Sequence, residues 1–94
     1  MNYRVKLTKT AQKQADKAPS HVLRSLITWA ESVEEYGLPE TRRIPGFHDE
    51  PLKGKLQGKR SVRLTLQWRA IYEITPAQDI IFVTVERIIP HDYR

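Results

Sequence analysis

Three successive runs in the last third of the chain predict β-strands, and they constrain the fold more than any other feature. "RSVRLTLQW" alternates strictly between apolar and polar residues, "RAIYEI" follows it directly, and "IIFVTVERII" comes after the turn-like "TPAQD". Alternation with a period of two is typical of strands with one buried face. In the first run, the apolar side is Val62, Leu64, Leu66 and Trp68, and the polar side is Ser61, Arg63, Thr65 and Gln67. The runs predict a mostly antiparallel sheet.

The N-terminal part of the chain predicts one strand followed by two helices. "NYRVKL" alternates as a short strand. Thr8 or Thr10 can cap a first helix, which carries a stripe of small residues. The stripe consists of Ala11, Ala15 and Ala18. A second helix is predicted from an N-cap at Ser20 to Tyr36, with Gly37 as its stop, and the alanines allow the two helices to form a hairpin.

The expected fold is a single α+β domain over residues 1–94, with the element order β-α-α-β-β-β-β. "GLPETRRIPGFHDEP" is predicted to be a connecting loop and "LKGKLQG" a short strand. A chain of this length supports one sheet with helices on one face. Arg63, Thr65 and Gln67 are expected on the open face, where they can hold a sugar–phosphate backbone. An ordinary solvated sheet face explains the same pattern without a ligand.

Positive charge is concentrated in the middle of the chain. Residues 41–69 contain eight basic and two acidic side chains, a balance of +6, whereas the whole chain carries +5. The basic residues are Arg42, Arg43, Lys53, Lys55, Lys59, Arg60, Arg63 and Arg69. Such a concentration suits a polyanion, because phosphate contacts release condensed counterions. A solvated basic surface is the alternative interpretation.

The composition argues against several classes of function. Without cysteine, the chain has no thiolate nucleophile and no disulfide. Its three histidines, His21, His48 and His91, do not have metal-ligand spacing, and no glycine-rich phosphate loop is present. No run has the length of a signal peptide or a membrane span. We therefore expect a cytoplasmic protein with no metal, no cofactor and no membrane contact.

The C-terminal residues "HDYR" place four side chains suited to RNA chemistry next to one another. RNA carries its own nucleophile, the 2′-hydroxyl, so metal-free cleavage needs only a base, a cation for the phosphate and an acid for the leaving oxygen. His91 can act as acid or base near neutrality, and arginine binds phosphate through two parallel hydrogen bonds. The alternative is a terminus without a catalytic role.

"EPLKGKLQGKRSVRLTLQWRAIYEI", followed by a β-run and a terminal "HDY", resembles the RelE/YoeB/HigB toxins of bacterial toxin–antitoxin systems. The resemblance is specific to the residues themselves in 50–74 and at the tail. Before residue 50 it concerns only the order of strand and helices. It implies a RelE-like fold and a small, metal-independent endoribonuclease, an mRNA interferase that cuts mRNA in the ribosomal A site. It also implies a cognate antitoxin protein as a partner, besides mRNA and the rRNA of the 70S ribosome.

The resemblance also assigns roles to residues of this chain. Arg69 matches the arginine that stabilises the phosphorane-like transition state, and Glu50 matches the general base of the YoeB branch. His91 lies near the position of the general acid, and Tyr93 matches a terminal tyrosine that supports proton transfer. Further RNA contacts are implied at Lys53, Lys55, Lys59, Arg60, Arg63 and Arg87. In the RelE branch Lys and Arg replace Glu and His, and Glu50 would then be only a loop carboxylate.

Two alternative functions stay open at this point. ParE-like toxins share the fold and inhibit DNA gyrase, but they generally lack the His/Tyr tail and the glutamate before "PLK". A non-catalytic module of the same fold would bind RNA or an antitoxin without cleaving anything. The chain also departs from the YoeB pattern, since Asp92 is inserted before Tyr93 and Arg94 follows it.

Overall fold

The chain forms a five-stranded sheet with three helices, in a computed structural model that describes residues 2–90. The helices are α1 (Lys9–Lys17), α2 (Ser20–Tyr36) and α3 (Leu38–Arg42), and the strands are β1 (Asn2–Leu7), β2 (Glu50–Pro51), β3 (Arg60–Arg63), β4 (Trp68–Ala77) and β5 (Ile80–Pro90). The strand order is β1-β5-β4-β3-β2, with β1 parallel to β5 and the other neighbours antiparallel. The predicted α+β fold with a mostly antiparallel sheet is confirmed.

The two N-terminal helices form at the predicted positions, apart from the cap of the second one. Thr8 caps α1, and its side-chain oxygen accepts a hydrogen bond of 3.1 Å from the backbone N–H of Ala11. The N-cap of α2 is Pro19 and not Ser20, because the Pro19 carbonyl already accepts the first helical hydrogen bonds. The buried face of α2 consists of Val22, Leu26, Trp29 and Val33. Within residues 2–90, no helix has the length and apolar character needed to cross a membrane.

The two faces of the sheet differ in character because side chains alternate along each strand. The face under the helices is apolar and fully buried, and it includes Val62, Ala70, Tyr72, Val83 and Val85. The ring of Tyr72 lies 5.2 Å from that of Trp29, centroid to centroid, so α2 and β4 share one core. The opposite face, called the open face below, carries Ser61, Arg63, Arg69 and Ile71.

The prediction that "RSVRLTLQW" is one continuous strand is wrong. β3 ends at Arg63, and residues 64–67 form the turn to β4. The Thr65 hydroxyl holds this turn by accepting hydrogen bonds from the backbone N–H groups of Gln67 and Trp68, at 3.3 and 3.2 Å. Leu66 is consequently 77% exposed. Thr65 and Gln67 therefore belong to the turn and not to the open face.

The segment between α2 and β3 is more structured than predicted. The predicted loop begins with α3, where the buried Thr41 hydroxyl donates a hydrogen bond of 2.9 Å to the carbonyl of Gly37. The short strand expected in "LKGKLQG" is wrong, because Gly54–Leu56 form a 3₁₀ turn. The strand in this region is β2, which lies just before that segment and pairs with β3.

Gly37 is the one position in the helical layer where a side chain is excluded by both backbone and space. It ends α2 at φ 88° and ψ 159°, a region open almost only to glycine, and a Cβ there would lie 3.1 Å from Cε1 of Tyr3. We expect Gly37→Ala to lower the free energy of unfolding by about 1–3 kcal/mol. Urea denaturation followed by tryptophan fluorescence measures this loss.

Gly46→Ala is the matched control for that substitution. A Cβ at Gly46 meets no atom within 4 Å, and its φ is not positive, so we expect a change of no more than about 0.5 kcal/mol. An equal loss in both variants would show that the conformation of Gly37 has no special role.

Candidate active site

Arg69 lies near the start of β4 on the open face of the sheet, and two neighbouring side chains hold it. Its Nη1 donates a hydrogen bond of 3.1 Å to Oγ of Ser61 on β3 and lies 3.5 Å from Oε1 of Glu50 on β2. The Arg69 side chain is 14% exposed and that of Glu50 is 53% exposed. A guanidinium has five N–H donors, so Arg69 keeps donors for an anion beyond these two contacts.

These residues border a concavity of about 250 Å³ at the end of the sheet. Its lining consists of Glu50, Leu52, Ser61, Arg69, Ile71, Ile89 and Pro90. Leu52, Ile71, Ile89 and Pro90 make most of this lining apolar, and apolar surroundings strengthen the charge interactions of Glu50 and Arg69. Of the four predicted catalytic residues, the structure brings Arg69 and Glu50 together here. His91 and Tyr93 follow Pro90 in the sequence and lie outside the described residues.

Asp49, the residue before Glu50, fixes this side of the concavity through a buried carboxylate. Its side chain is 1% exposed. Oδ2 accepts a hydrogen bond of 2.5 Å from the hydroxyl of Tyr72, and Oδ1 accepts one of 2.6 Å from Nε of Arg60. Nε of Arg42 lies 3.9 Å from the same Oδ1. A buried carboxylate needs such partners, so the Asp49 cluster fixes where the two-residue strand β2 begins.

Tyr72 donates the hydrogen bond to Asp49 and keeps its proton at neutral pH. Burial of the phenol, and then its hydrogen bond to Asp49, raise the pKa of Tyr72 to about 12. Asp49 and Tyr72 were not predicted from the sequence. The available signal was a tyrosine at a core-facing position of β4, since a buried phenol hydroxyl requires a partner.

The predicted RNA-binding residues fall into two groups. Lys59 and Arg60 are already paired, Lys59 with Glu86 and Arg60 with Asp49. The other four, Lys53, Lys55, Arg63 and Arg87, have no carboxylate within 4.0 Å among residues 2–90. Arg63 is directly opposite Arg69 in the ladder, and its Nε is buried without a hydrogen-bond partner in the described part of the chain. Two arginines facing each other repel, and a bound anion would relieve this repulsion.

A larger groove of about 720 Å³ lies on another part of the surface, along the C-terminal half of α2. Three of its lining residues are Glu31, Glu34 and Glu35, and none is basic. Its acidic lining repels a polyanion, so the concavity beside Arg69 is the better candidate site. Residues 2–90 contain no group of three or more His, Cys, Asp or Glu side chains placed to hold a metal ion.

The fold is that of the RelE/YoeB/YafQ toxins. Similar solved structures include an archaeal RelE–RelB complex from Pyrococcus horikoshii OT3, with 24% identity, a TM-score of 0.73 and 100% of both chains covered. A YoeB/ParE toxin from Agrobacterium tumefaciens has 17% identity, a TM-score of 0.70 and coverage of 95% of this chain and 99% of that chain. The toxin–antitoxin complex RelBE2 from Mycobacterium tuberculosis has 21% identity, a TM-score of 0.68 and coverage of 97% and 100%.

Comparison with protein-family models gave no match, and no curated protein gave a significant one. The structural likeness covers nearly the whole chain and confirms the RelE-like fold implied by the sequence.

We expect Asp49→Asn to destabilise the protein strongly. The substitution leaves Arg60 and Arg42 facing a neutral amide in a partly buried site, and breaking a buried pair costs about 3–5 kcal/mol. Denaturant unfolding measures the loss. Asp79→Asn in the exposed β4–β5 turn is the charge-matched control, and we expect it to change stability by less than about 0.5 kcal/mol. Similar losses in both would contradict a structural role for the buried carboxylate.

The raised pKa of Tyr72 gives a second prediction, in alkaline solution. The folded pKa of about 12 lies above the ordinary value of 10.0, so the stabilisation is complete below pH 10 and is lost as pH rises through 12. In absorbance titration at 295 nm (roughly the tyrosinate band), one tyrosine is expected to ionise near pH 12. Tyr72→Phe should remove this late phase. Its persistence in the variant would refute the assignment.

Proposed function

We propose that the protein is the toxin of a type II toxin–antitoxin system and a metal-independent endoribonuclease that cleaves mRNA in the ribosomal A site. The observation that carries the proposal is the placement of Arg69. Ser61 and Glu50 hold its guanidinium at the border of an open concavity, on a fold shared with RelE and YoeB toxins. A fixed guanidinium beside an open site is suited to the charge that builds on a phosphate during cleavage.

In the proposed reaction, the RNA supplies the nucleophile. Glu50 takes the proton from the 2′-hydroxyl, whose oxygen attacks the adjacent phosphorus as the bond to the 5′-oxygen breaks. Arg69 holds the phosphate oxygens as their negative charge increases, while Ser61 keeps the guanidinium in place. His91 gives a proton to the departing 5′-oxygen, and Tyr93 supports that transfer. The products are a 2′,3′-cyclic phosphate and a 5′-hydroxyl.

The exposure of Glu50 supports its role as the base. Its contact with Arg69 spans 3.5 Å, the upper limit of a hydrogen bond, and more than half of the side chain is open to solvent. Glu50 can therefore turn from Arg69 to a 2′-hydroxyl without leaving a buried cation unpaired, because Ser61 still holds the guanidinium. In the RelE-type alternative, lysines or arginines take over the acid–base roles and Glu50 is not essential.

The proposed macromolecular partners follow from charge and from the relatives. Within residues 2–90, no carboxylate lies within 4.0 Å of Lys53, Lys55, Arg63 or Arg87, and we propose that these four residues contact messenger or ribosomal phosphates. The similar structure from Mycobacterium tuberculosis is a toxin–antitoxin complex, and the one from Pyrococcus horikoshii OT3 is a RelE–RelB complex. We propose a cognate antitoxin for this chain as well.

The proposal is tested with programmed 70S ribosomes, by mapping mRNA ends through primer extension. We expect cuts confined to the A-site codon and a rate that falls about 100- to 1,000-fold in Arg69→Ala, with ribosome binding largely kept. Arg24→Ala, on the exposed side of α2, removes the same charge far from the concavity and should cleave at the native rate. Equal cleavage by the two variants would reject the role of Arg69.

Three further variants separate the possible chemistries. Arg69→Lys keeps the charge and loses the planar fork, so only partial activity is expected. Large losses in Glu50→Gln and His91→Ala would favour the YoeB-like base and acid, whereas native rates would favour the RelE-like alternative. A folded native protein that cuts no mRNA, with or without ribosomes, would overturn the nuclease. Inhibition of DNA gyrase supercoiling would then be the next measurement.

A further inference from the structure

The charges on the open face of the sheet are unevenly distributed. At one end, Arg63 and Arg69 stand side by side near Pro90. Further along the same strands, a lysine lies between two glutamates, Lys59 between Glu73 and Glu86. We call these three residues the Lys59 triad. The triad lowers the positive charge of this part of the open face, because it combines one ammonium with two carboxylates.

The triad is built by the geometry of the sheet. Lys59 and Glu73 each lie one residue beyond the pair formed by Arg60 and Tyr72, so their side chains are cross-strand neighbours. Nζ of Lys59 lies 3.8 Å from Oε2 of Glu73 and donates a hydrogen bond to Oε1 of Glu86.

Glu86 reaches Lys59 because of a β-bulge in β5. Ile71 pairs with Arg87 and Tyr72 pairs with Val85, which leaves Glu86 as an extra residue without a partner on β4. Such a bulge re-aims the side chain of the inserted residue. In this sheet the bulge directs Glu86 to Lys59.

The ion pair between Lys59 and Glu86 persists at neutral pH. The hydrogen bond to Glu86 raises the pKa of Lys59, and the same bond lowers the pKa of Glu86. Moving Lys59 to an RNA phosphate would leave Glu73 and Glu86 close to each other without the cation between them. Repulsion between the two carboxylates opposes that movement.

We propose that Glu73 and Glu86 hold Lys59 away from RNA and that the Lys59 triad ends the phosphate-contacting part of the open face. The inference rests on the proposed action on RNA, and it adds a limit to the part of the sheet that the RNA backbone contacts. An RNA backbone passing Arg69 is confined to the end of the sheet near Arg63. Lys59 is then not an RNA ligand in the native protein, unlike the role that the family resemblance implies for it.

The test measures binding to RNA at several salt concentrations. The probe is a fluorescently labelled 2′-O-methyl oligonucleotide, which lacks the attacking hydroxyl and cannot be cleaved, and anisotropy gives the affinity. Each additional phosphate contact steepens the plot of log K against log salt by about 0.7 for a single strand. We expect this increase, with tighter binding, for the double variant Glu73→Gln/Glu86→Gln, because Lys59 becomes free to bind a phosphate.

Two controls separate this local effect from overall charge. Glu31→Gln/Glu35→Gln makes the same change in net charge at exposed positions of α2, and we expect the native slope. Lys59→Gln should leave the native slope unchanged when both glutamates are present, and should abolish the gain in the Glu73→Gln/Glu86→Gln background. Circular dichroism and thermal unfolding establish that each variant is folded.

Three results would overturn the inference. The first is a slope for Glu73→Gln/Glu86→Gln that is no steeper than the slope for Glu31→Gln/Glu35→Gln. Failure of both variants to bind the oligonucleotide at low salt counts as the same result. The second is a gain that survives Lys59→Gln. The third is a shallower slope when Lys59→Gln is made alone, which would show that Lys59 contacts a phosphate in the native protein.

The binding test and the ribosome assay can reject the two proposals independently of each other. A steeper slope without ribosomal cleavage would reject the nuclease and retain the boundary formed by the Lys59 triad. Cleavage without a change in slope would reject the boundary and retain the nuclease.

Discussion

The buried carboxylate of Asp49 is the interaction on which the candidate site depends. A charge that is 1% exposed must be matched by donors, and here they come from three separate elements, since Tyr72 lies on β4, Arg60 on β3 and Arg42 on α3. The cluster ties the connecting segment to the sheet just where β2 begins. A strand of two residues has few ladder hydrogen bonds of its own, so the position of Glu50 beside Arg69 relies on the residue before it.

Side chains alternate along β4, so the same strand carries Tyr72, which contacts Asp49, and Arg69 of the candidate site. Ala70 and Tyr72 face the core beneath α2, while Arg69 and Ile71 face the open side between and beside them. The packing that immobilises one set of side chains therefore immobilises the backbone that carries the other. The result is a guanidinium on a rigid strand, supported by a hydroxyl from the neighbouring strand, which is the arrangement that electrostatic stabilisation of a transition state requires.

The positive charge in the middle of the chain is smaller at the folded surface than the sequence count indicates, because carboxylates pair with several of the cations. Counted along the chain, residues 41–69 have a surplus of six positive charges. In the fold, Asp49 is paired with Arg60 and lies near Arg42, and Glu73 and Glu86 surround Lys59. Within residues 2–90, the cations of this region left without such partners are Arg63, which lies opposite Arg69, and Lys53 and Lys55 in the segment after β2. Charge on one surface is thus shaped as much by the carboxylates that fold onto it as by the number of lysines and arginines.

The sequence by itself predicted most of the sheet and the two N-terminal helices, and it singled out Arg69 as a candidate catalytic residue, because alternation, helix periodicity and a local motif are short-range signals. It did not reveal the turn at residues 64–67, since the apolar alternation continues through that turn, with Leu66 exposed at its tip. Only the tertiary structure decided which charges meet. The contacts of Glu50 with Arg69, Asp49 with Tyr72, and Lys59 with Glu86 span 19, 23 and 27 positions of the chain. Such contacts depend on strand register and on one bulge, and neither leaves a local pattern in the sequence.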